Sequence, residues 1–479
     1  MENGENRKPQ PILIKLESSK KDKQKKTIII LCIIIVLLLA GFLFYYYKQQ
    51  KAESDKAPEN VKDPSDTLIT SELTTKETDP YAFIYETTLP TYIDKKGVVH
   101  QVTEDFDPEE NEKVEDYFGP LPESEHKADF EHQKIRGVYI YDTDYLDSLL
   151  EEVKGTEVNA LVIDVKESYG VLYDSKIPLV KELNCIIANR DIKGITEKCH
   201  ANGIRVIARI VSFKDETFAL VRPDLCIQNE DGIPIQFPHE GNATWANPYN
   251  QEVWQYLIDV AEEVIDLGVD EIQFDYIRFP AGGSLDGSAA YYGEPDTVPK
   301  KLSAINRFLQ TAAIQIQDKD NIPIGADLFS IVMTSDLDGH AIGQDWKSIG
   351  LTGIDNICPM IYPSHYANGA PVGYAMANGV GTDLGDNRYT APDLEPYGVV
   401  TDAIIDGREA IDQEGYAHVR PYLQAFTASY LPQGYWMEYN GPVIRKQMEA
   451  VYDSGFDEWI LWNVNPSYPS GTFAPKEKE

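Results

Sequence analysis

Asp275, in the stretch VDEIQFDYIRFP (Val269–Pro280), and Asp327, in PIGADLF (323–329), are carboxylates set inside runs of apolar, β-favouring residues. Burying a carboxylate is costly unless it is paired or hydrogen-bonded. A strand that carries one near its end therefore predicts a polar, partly wet pocket at that end. Two carboxyls in such a pocket can divide the work of acid and base. One protonates a leaving oxygen while the other attacks carbon or activates a water, as glycosidic bond cleavage requires. Neighbouring strands lie about 4.8 Å apart, so carboxyls on adjacent strands can approach the ~5–5.5 Å of a retaining pair.

Other polar side chains fall in similar positions. Asp164 follows ALVI, Arg209 comes late in RVIARI, Tyr362 ends NICPMIY, Gln424 comes late in VRPYLQAF, and Asn463 ends EWILWN. Side chains alternate between strand faces, so Gln273 and Asp275 are expected to point one way, and Ile272, Phe274 and Tyr276 the other, toward packing helices. Asp164, Arg209, Gln273, Tyr276, Tyr362, Gln424, Trp462 and Asn463 are the expected substrate contacts. Each has a structural alternative. Asp275 can pair with Arg209 or Arg278, and Asp327 can cap the next helix. Asp164 can be structural rather than bind a sugar hydroxyl or tune a neighbour, and Arg278 can anchor its loop. Trp245, Tyr276, Tyr362 and Trp462 offer flat faces to a sugar ring or to the core. His239 and His365 lack the spacing of a metal pair, SDLDGH (335–340) is too short for a calcium loop, and no C-x-x-C occurs. No metal and no organic cofactor is expected.

The elements that would hold these residues alternate. Strand-like runs at 137–141, 160–165, 205–210, 271–279, 323–329, 356–362, 419–426 and 458–463 are separated by helical patterns such as QEVWQYLIDVAEEVIDLG (251–268) and VIRKQMEAVYDSG (443–455). Eightfold strand–helix alternation predicts a (β/α)8 TIM barrel over residues 134–468. Long loops at 211–250, 280–300, 363–400 and 427–441 follow strands, so they belong to the C-terminal face, where barrel active sites form. A doubly wound sheet is the alternative, but no Gly-rich phosphate turn follows the first strand.

The remaining chain points to a membrane. Thr27–Tyr47 is uncharged and apolar, long enough to cross a bilayer, and ends in three tyrosines. KKDKQKK (20–26) precedes it, which predicts a cytoplasmic tail at 1–26, a single transmembrane helix at 27–47 and everything after it outside. A cleaved signal peptide is the alternative. Residues 48–133, rich in Glu, Asp, Lys, Pro and Thr, predict an extended, mostly disordered stalk, and 469–479 a disordered tail. A formal net charge of -35 argues against nucleic acid as a partner. Cys185, Cys199, Cys226 and Cys358 are expected as buried thiols, with a Cys185–Cys199 bridge left open.

With IRGVYIY (135–141), LVIDVKESYG (161–170), IRVIARIVSF (204–213), WANPYNQEVWQY (245–256), MIYPSHY (360–366) and EWILWN (458–463), the DEIQFDYIRFP stretch resembles a bacterial family called the "putative glycosyl hydrolase domain". The resemblance implies a TIM barrel related to α-amylase-like glycosidases. It places a nucleophile or base on Asp275 and a general acid on Asp327. Three features depart from the amylase pattern: Gln273 where an Arg precedes the nucleophile, an Asp rather than a Glu on strand 5, and no His-Asp pair after strand 7. The expected protein is thus a membrane-anchored extracellular glycosidase acting on a cell-wall or other polysaccharide. The alternative is a non-catalytic glycan-binding surface protein; a deacetylase lacks its metal or triad residues.

Overall fold

In the computed structural model, residues 91–93, 99–101, 107–124 and 126–476 are described. The expected membrane span and cytoplasmic tail lie outside them. Among the described residues, no helix is long and apolar enough to cross a membrane.

Eight parallel strands close into a barrel: β1 (Arg136–Ile140), β2 (Ala160–Glu167), β3 (Arg205–Val211), β4 (Glu271–Asp275), β5 (Ile324–Phe329), β6 (Asn356–Ile361), β7 (Tyr422–Gln424) and β8 (Trp459–Trp462). Each pairs with its neighbours in sequence, and β8 pairs with β1 to complete the ring. A two-residue strand, His418–Val419, also pairs with the start of β6. All eight expected strands form. β4 is shorter than 271–279, because it stops at Asp275.

The helices between strands include α2 (Leu146–Val153), α3 (Ile192–Ala201), α4 (Gln251–Ile265), α5 (Lys301–Ala312), α6 (Asp336–Ile342), α7 (Pro396–Asp406) and α8 (Gly441–Asp453). The patterns ending at Gly268 and Gly455 become α4 and α8, and both glycines take the left-handed backbone that lets the chain leave a helix. SDLDGH is the start of α6, with the Ser335 hydroxyl oxygen accepting from the Asp338 N–H.

Strand alternation divides the apolar residues into two layers. Val138, Leu161, Ile163, Ile272 and Phe274 pack outward against helix residues such as Val253 and Phe308. Ile135, Tyr139, Val162, Ile207, Cys358, Tyr362, Tyr422 and Ile460 fill the barrel. At its N-terminal end the buried Arg420 guanidinium closes the interior, bonding Glu271 at 2.5 Å and Glu458 at 2.9 Å.

Two expectations about chain segments need correction. Residues 107–124 and 126–133, expected to belong to a mostly disordered stalk, are placed in the structure. Pro108–Phe118 forms a helix, α1, capped by Asp107, whose carboxylate accepts from the Glu110 N–H at 3.1 Å. Phe118 is buried against Tyr249 and Trp254, and Glu115 pairs with Arg307 at 3.1 Å. The C-terminal tail is ordered as far as residue 476. Ala474 and Glu157 exchange hydrogen bonds of 2.9 Å, and Thr472 is buried. Cys185, Cys199, Cys226 and Cys358 are free and buried, so the 185–199 bridge does not form.

Candidate active site

The C-terminal strand ends hold one buried charge network. Arg209, late on β3, is in register with Asp164 on β2 and Gln273 on β4. Its guanidinium donates to Asp275 Oδ2 through Nε at 3.0 Å and Nη2 at 2.6 Å, and to Asp164 Oδ1 through Nη1 at 2.6 Å. Nη1 also lies 3.6 Å from Glu167 Oε1. Asp275 is therefore paired with Arg209, one of its two expected partners. The other, Arg278, is held bidentately by Glu240 at 2.8 and 3.1 Å, which anchors its loop as expected.

Asp275 also ends its strand. Its Oδ1 accepts from the Tyr276 N–H at 2.5 Å, and Tyr276 takes φ 52°, a left-handed value rare for a bulky residue. The carbonyls of Asp275 and Tyr276 still accept from Ser212 and Phe213, which holds the strained turn in place. Strict alternation assigned Tyr276 to the helix side. The left-handed turn instead brings it into the pocket.

That pocket, a hollow of about 150 Å³, is lined by Asp275, Asp327, Arg209, Tyr276, Tyr362 and Trp462, together with Arg278, His365 and Tyr422. Asp327 is buried, and its Oδ1 has no hydrogen-bond partner among the described residues. Burial, followed by the nearby Asp275 charge, holds its carboxyl well above the usual carboxylate range. It does not cap a helix. The two aspartates thus meet in one hollow with different partners: Asp275 is bonded to a guanidinium, whereas Asp327 is buried with one carboxyl oxygen unpartnered among the described residues. Trp462 stacks on Tyr139 at 3.9 Å, and Arg209 lies over its ring at 5.4 Å, so its indole is rigidly held. Burial pushes the His365 imidazole down to about 4, leaving it neutral at physiological pH.

Four of the expected contacts lie outside the hollow, and Trp245 is buried beneath Arg278. Asp164 is fully buried behind Arg209, with its second oxygen accepting from the Tyr139 hydroxyl. Gln273 is held inside the barrel by the Tyr422 hydroxyl at 2.5 Å and Cys358 Sγ at 3.2 Å. The Gln424 amide accepts from the Ser364 N–H at 3.0 Å and donates to Asp393 at 2.9 Å. Asn463 braces the turn after β8 through the Asn465 N–H at 3.0 Å and the Ser467 carbonyl at 3.2 Å. All four orient the scaffold of the site.

Glu167 was not expected. A bulge between Asp164 and Lys166 adds one residue to β2. It turns Lys166 outward to Asp215 at 2.7 Å and returns Glu167 to the side of Asp164. Burial and the Asp164 charge push the Glu167 carboxyl up to about 7. It lines a second hollow of about 280 Å³ that shares Arg209, Tyr276 and Trp462 with the first and adds Tyr141, Lys214 and Val464. The bulge is the signal that strict alternation misses.

A parallel eight-stranded barrel with a carboxyl-lined hollow at the C-terminal strand ends defines a TIM-barrel protein of the glycosidase type in architecture. Residues 135–468 match the family described as "Putative glycosyl hydrolase domain", and the chain belongs to that family. No curated protein matches the sequence. Among solved structures, a hypothetical protein from Ruminiclostridium thermocellum is 32% identical over 40% of this chain and 96% of its own, with a TM-score of 0.33. The α-galactosidase of Thermus thermophilus is 13% identical over 75% of this chain and 62% of its own, with a TM-score of 0.38. The spore cortex-lytic enzyme SleL of Bacillus cereus is 10% identical over 71% of this chain and 74% of its own, with a TM-score of 0.41.

Proposed function

We propose that this chain is a membrane-anchored glycoside hydrolase that faces the cell exterior and cleaves a cell-wall or other extracellular polysaccharide. In this reading Asp275 is the nucleophile or base and Asp327 the general acid. The observation that carries it is the contrast between two carboxyls lining one hollow. Asp275 is ion-paired with Arg209, while burial favours the protonated form of Asp327. A carboxyl held in its protonated form beside one held in an ion pair is what acid and base roles on one fold require.

Trp462, Tyr276 and Tyr362 supply apolar faces to a sugar ring, and Arg209 and Arg278 supply donors to its hydroxyls. Residues 27–47 cross the membrane with 1–26 in the cytoplasm, and a linker beginning at 48 carries the barrel outward. No nucleic acid partner is expected of so acidic a chain.

A second assignment of the acid rests on Glu167, which is protonatable near neutrality and opens to the adjoining hollow across Arg209. The two assignments separate by substitution. If Asp327 is the acid, Asp327→Asn loses turnover and Glu167→Gln keeps it; if Glu167 is the acid, the order reverses. The activity itself is tested by incubating the full chain with purified wall glycans and neutral polysaccharides and counting new reducing ends. Binding of one glycan without release would favour the glycan-binding protein instead. Protease added to intact cells should remove the barrel; protection of the barrel would overturn the proposed orientation.

A further inference from the structure

On the opposite, N-terminal face of the barrel, four side chains from separated parts of the sequence converge. His132 precedes β1, Asp355 precedes β6, His418 starts the short strand beside β6, and Glu458 precedes β8. His132 Nε2 faces Glu458 Oε1 at 2.5 Å, and its Nδ1 faces Asp355 Oδ2 at 3.1 Å. A neutral imidazole has one N–H. Protonated, it donates to both carboxylates, and a metal cation at Nδ1 would take the place of the proton that lies between Nδ1 and Asp355.

A third donor favours the cation. His418 stacks on His132 with ring centroids 3.5 Å apart, it is exposed, and its nitrogens make no hydrogen bond with any described residue. Ligand atoms of His132, Asp355 and His418 all lie within 4.8 Å of one another.

We propose that His132, His418 and Asp355 bind one zinc-class divalent cation. Zn–N and Zn–O bonds of ~2.0–2.2 Å place tetrahedral ligand atoms about 3.4 Å apart. The His132–Asp355 contact, at 3.1 Å, is about 0.3 Å short of that span, and the third ligand atom, on the exposed His418, lies within 4.8 Å of the other two. Glu458 is then the outer carboxylate that fixes the tautomer of a metal-bound histidine. It is itself held by Arg420 at 2.9 Å and by the Ile135 N–H at 3.0 Å. Asp355 is braced by the Asn356 amide at 2.8 Å. A hollow of about 280 Å³ is bordered by His132, His418 and Glu458, with Lys134 also on its wall. Two imidazoles and a carboxylate suit zinc, cobalt or nickel rather than calcium or magnesium. The ion would pin the chain entering β1 to the starts of β6 and the strand beside it. This is the barrel face that serves stability rather than catalysis.

The test uses the full chain, stripped with a chelator and titrated with Zn²⁺ against a chromophoric competitor, and with Co²⁺ followed by its visible d–d absorption. The expected result is one saturable site per chain, a tetrahedral cobalt band, and a higher melting temperature with zinc. His418→Ala, an exposed change that the fold tolerates, should abolish the cobalt band. It should weaken zinc by more than the ~10–100-fold expected of Glu458→Gln. The proposal is overturned if the parent shows no saturable site, which would leave a proton between His132 and Asp355. It is equally overturned if His418→Ala binds as the parent does, which would place the metal elsewhere.

Discussion

Arg209 is the residue on which the charge balance of the site depends, and Arg209→Met tests it. Methionine keeps most of the side-chain volume but removes three charge-assisted bonds, to Asp275 Oδ2 at 3.0 and 2.6 Å and to Asp164 Oδ1 at 2.6 Å. Asp164, Asp275 and Arg209 are all buried, so removing the cation strands two carboxylates away from water. Breaking a buried pair in this way costs ~3–5 kcal/mol. A domain of roughly 370 residues unfolds with an entropy of about 0.8 kcal/mol/K, so the melting temperature should fall by ~4–6 °C. Urea denaturation of the full chain and the variant, monitored by tryptophan fluorescence, measures the loss directly. Adding Asp164→Asn and Asp275→Asn to Arg209→Met should restore much of it, because no uncompensated charge then remains. A loss below about 1 kcal/mol for Arg209→Met, or no recovery in the triple variant, would refute the picture of one buried cation holding two buried anions.

Further outcomes follow from the same geometry. Glu167 has a folded value near 7 against an ordinary 4.5, so the folded state holds its proton more tightly than the unfolded chain does. The sign is that of a raised acid: this group's contribution is fully present below about pH 4.5 and is lost as pH rises through about 7. Glu167→Gln should therefore match the parent in stability at pH 4 and exceed it at pH 8, as read by thermal melts; a variant less stable at pH 8 would contradict this. Phe118→Ala should destabilise the domain by ~2–4 kcal/mol, because the ring is buried against Tyr249 and Trp254. A fragment beginning at 134 should be less stable than one beginning at 107, and equal urea midpoints would show that α1 contributes nothing. Asp327→Asn should lower turnover by ~10²–10⁴-fold with the fold intact, measured as reducing ends released by variant and parent at matched concentration.

The strands were readable because each is a short apolar run between breakers, and a barrel repeats that unit eight times. Asp275 and Asp327 were readable because a carboxylate at the end of such a run has few reasons to be there. What sequence could not show were departures from regular alternation. The bulge after Asp164 returned Glu167 to the adjoining hollow, and the left-handed backbone at Tyr276 is what lets that expected contact reach the hollow despite the alternation that put it on the helix side. Gln273, Gln424 and Asn463 stand where substrate contacts stand, yet each is bonded to neighbouring backbone or side chains. The His132–Asp355–His418 cluster has no sequence spacing at all, since barrel closure alone brings its members together. Helix α1 was masked by its own composition: its acidic surface reads as disordered chain, and its docking rests largely on Phe118.

Whether Asp275 performs chemistry on a glycosidic bond is decided by comparing the full chain with Asp275→Asn on a glycan that the parent cleaves. Release of reducing ends should fall by about four orders of magnitude or more, as for loss of a nucleophile, while glycan binding persists. Equal release by both proteins would contradict it and move the chemistry to another carboxyl.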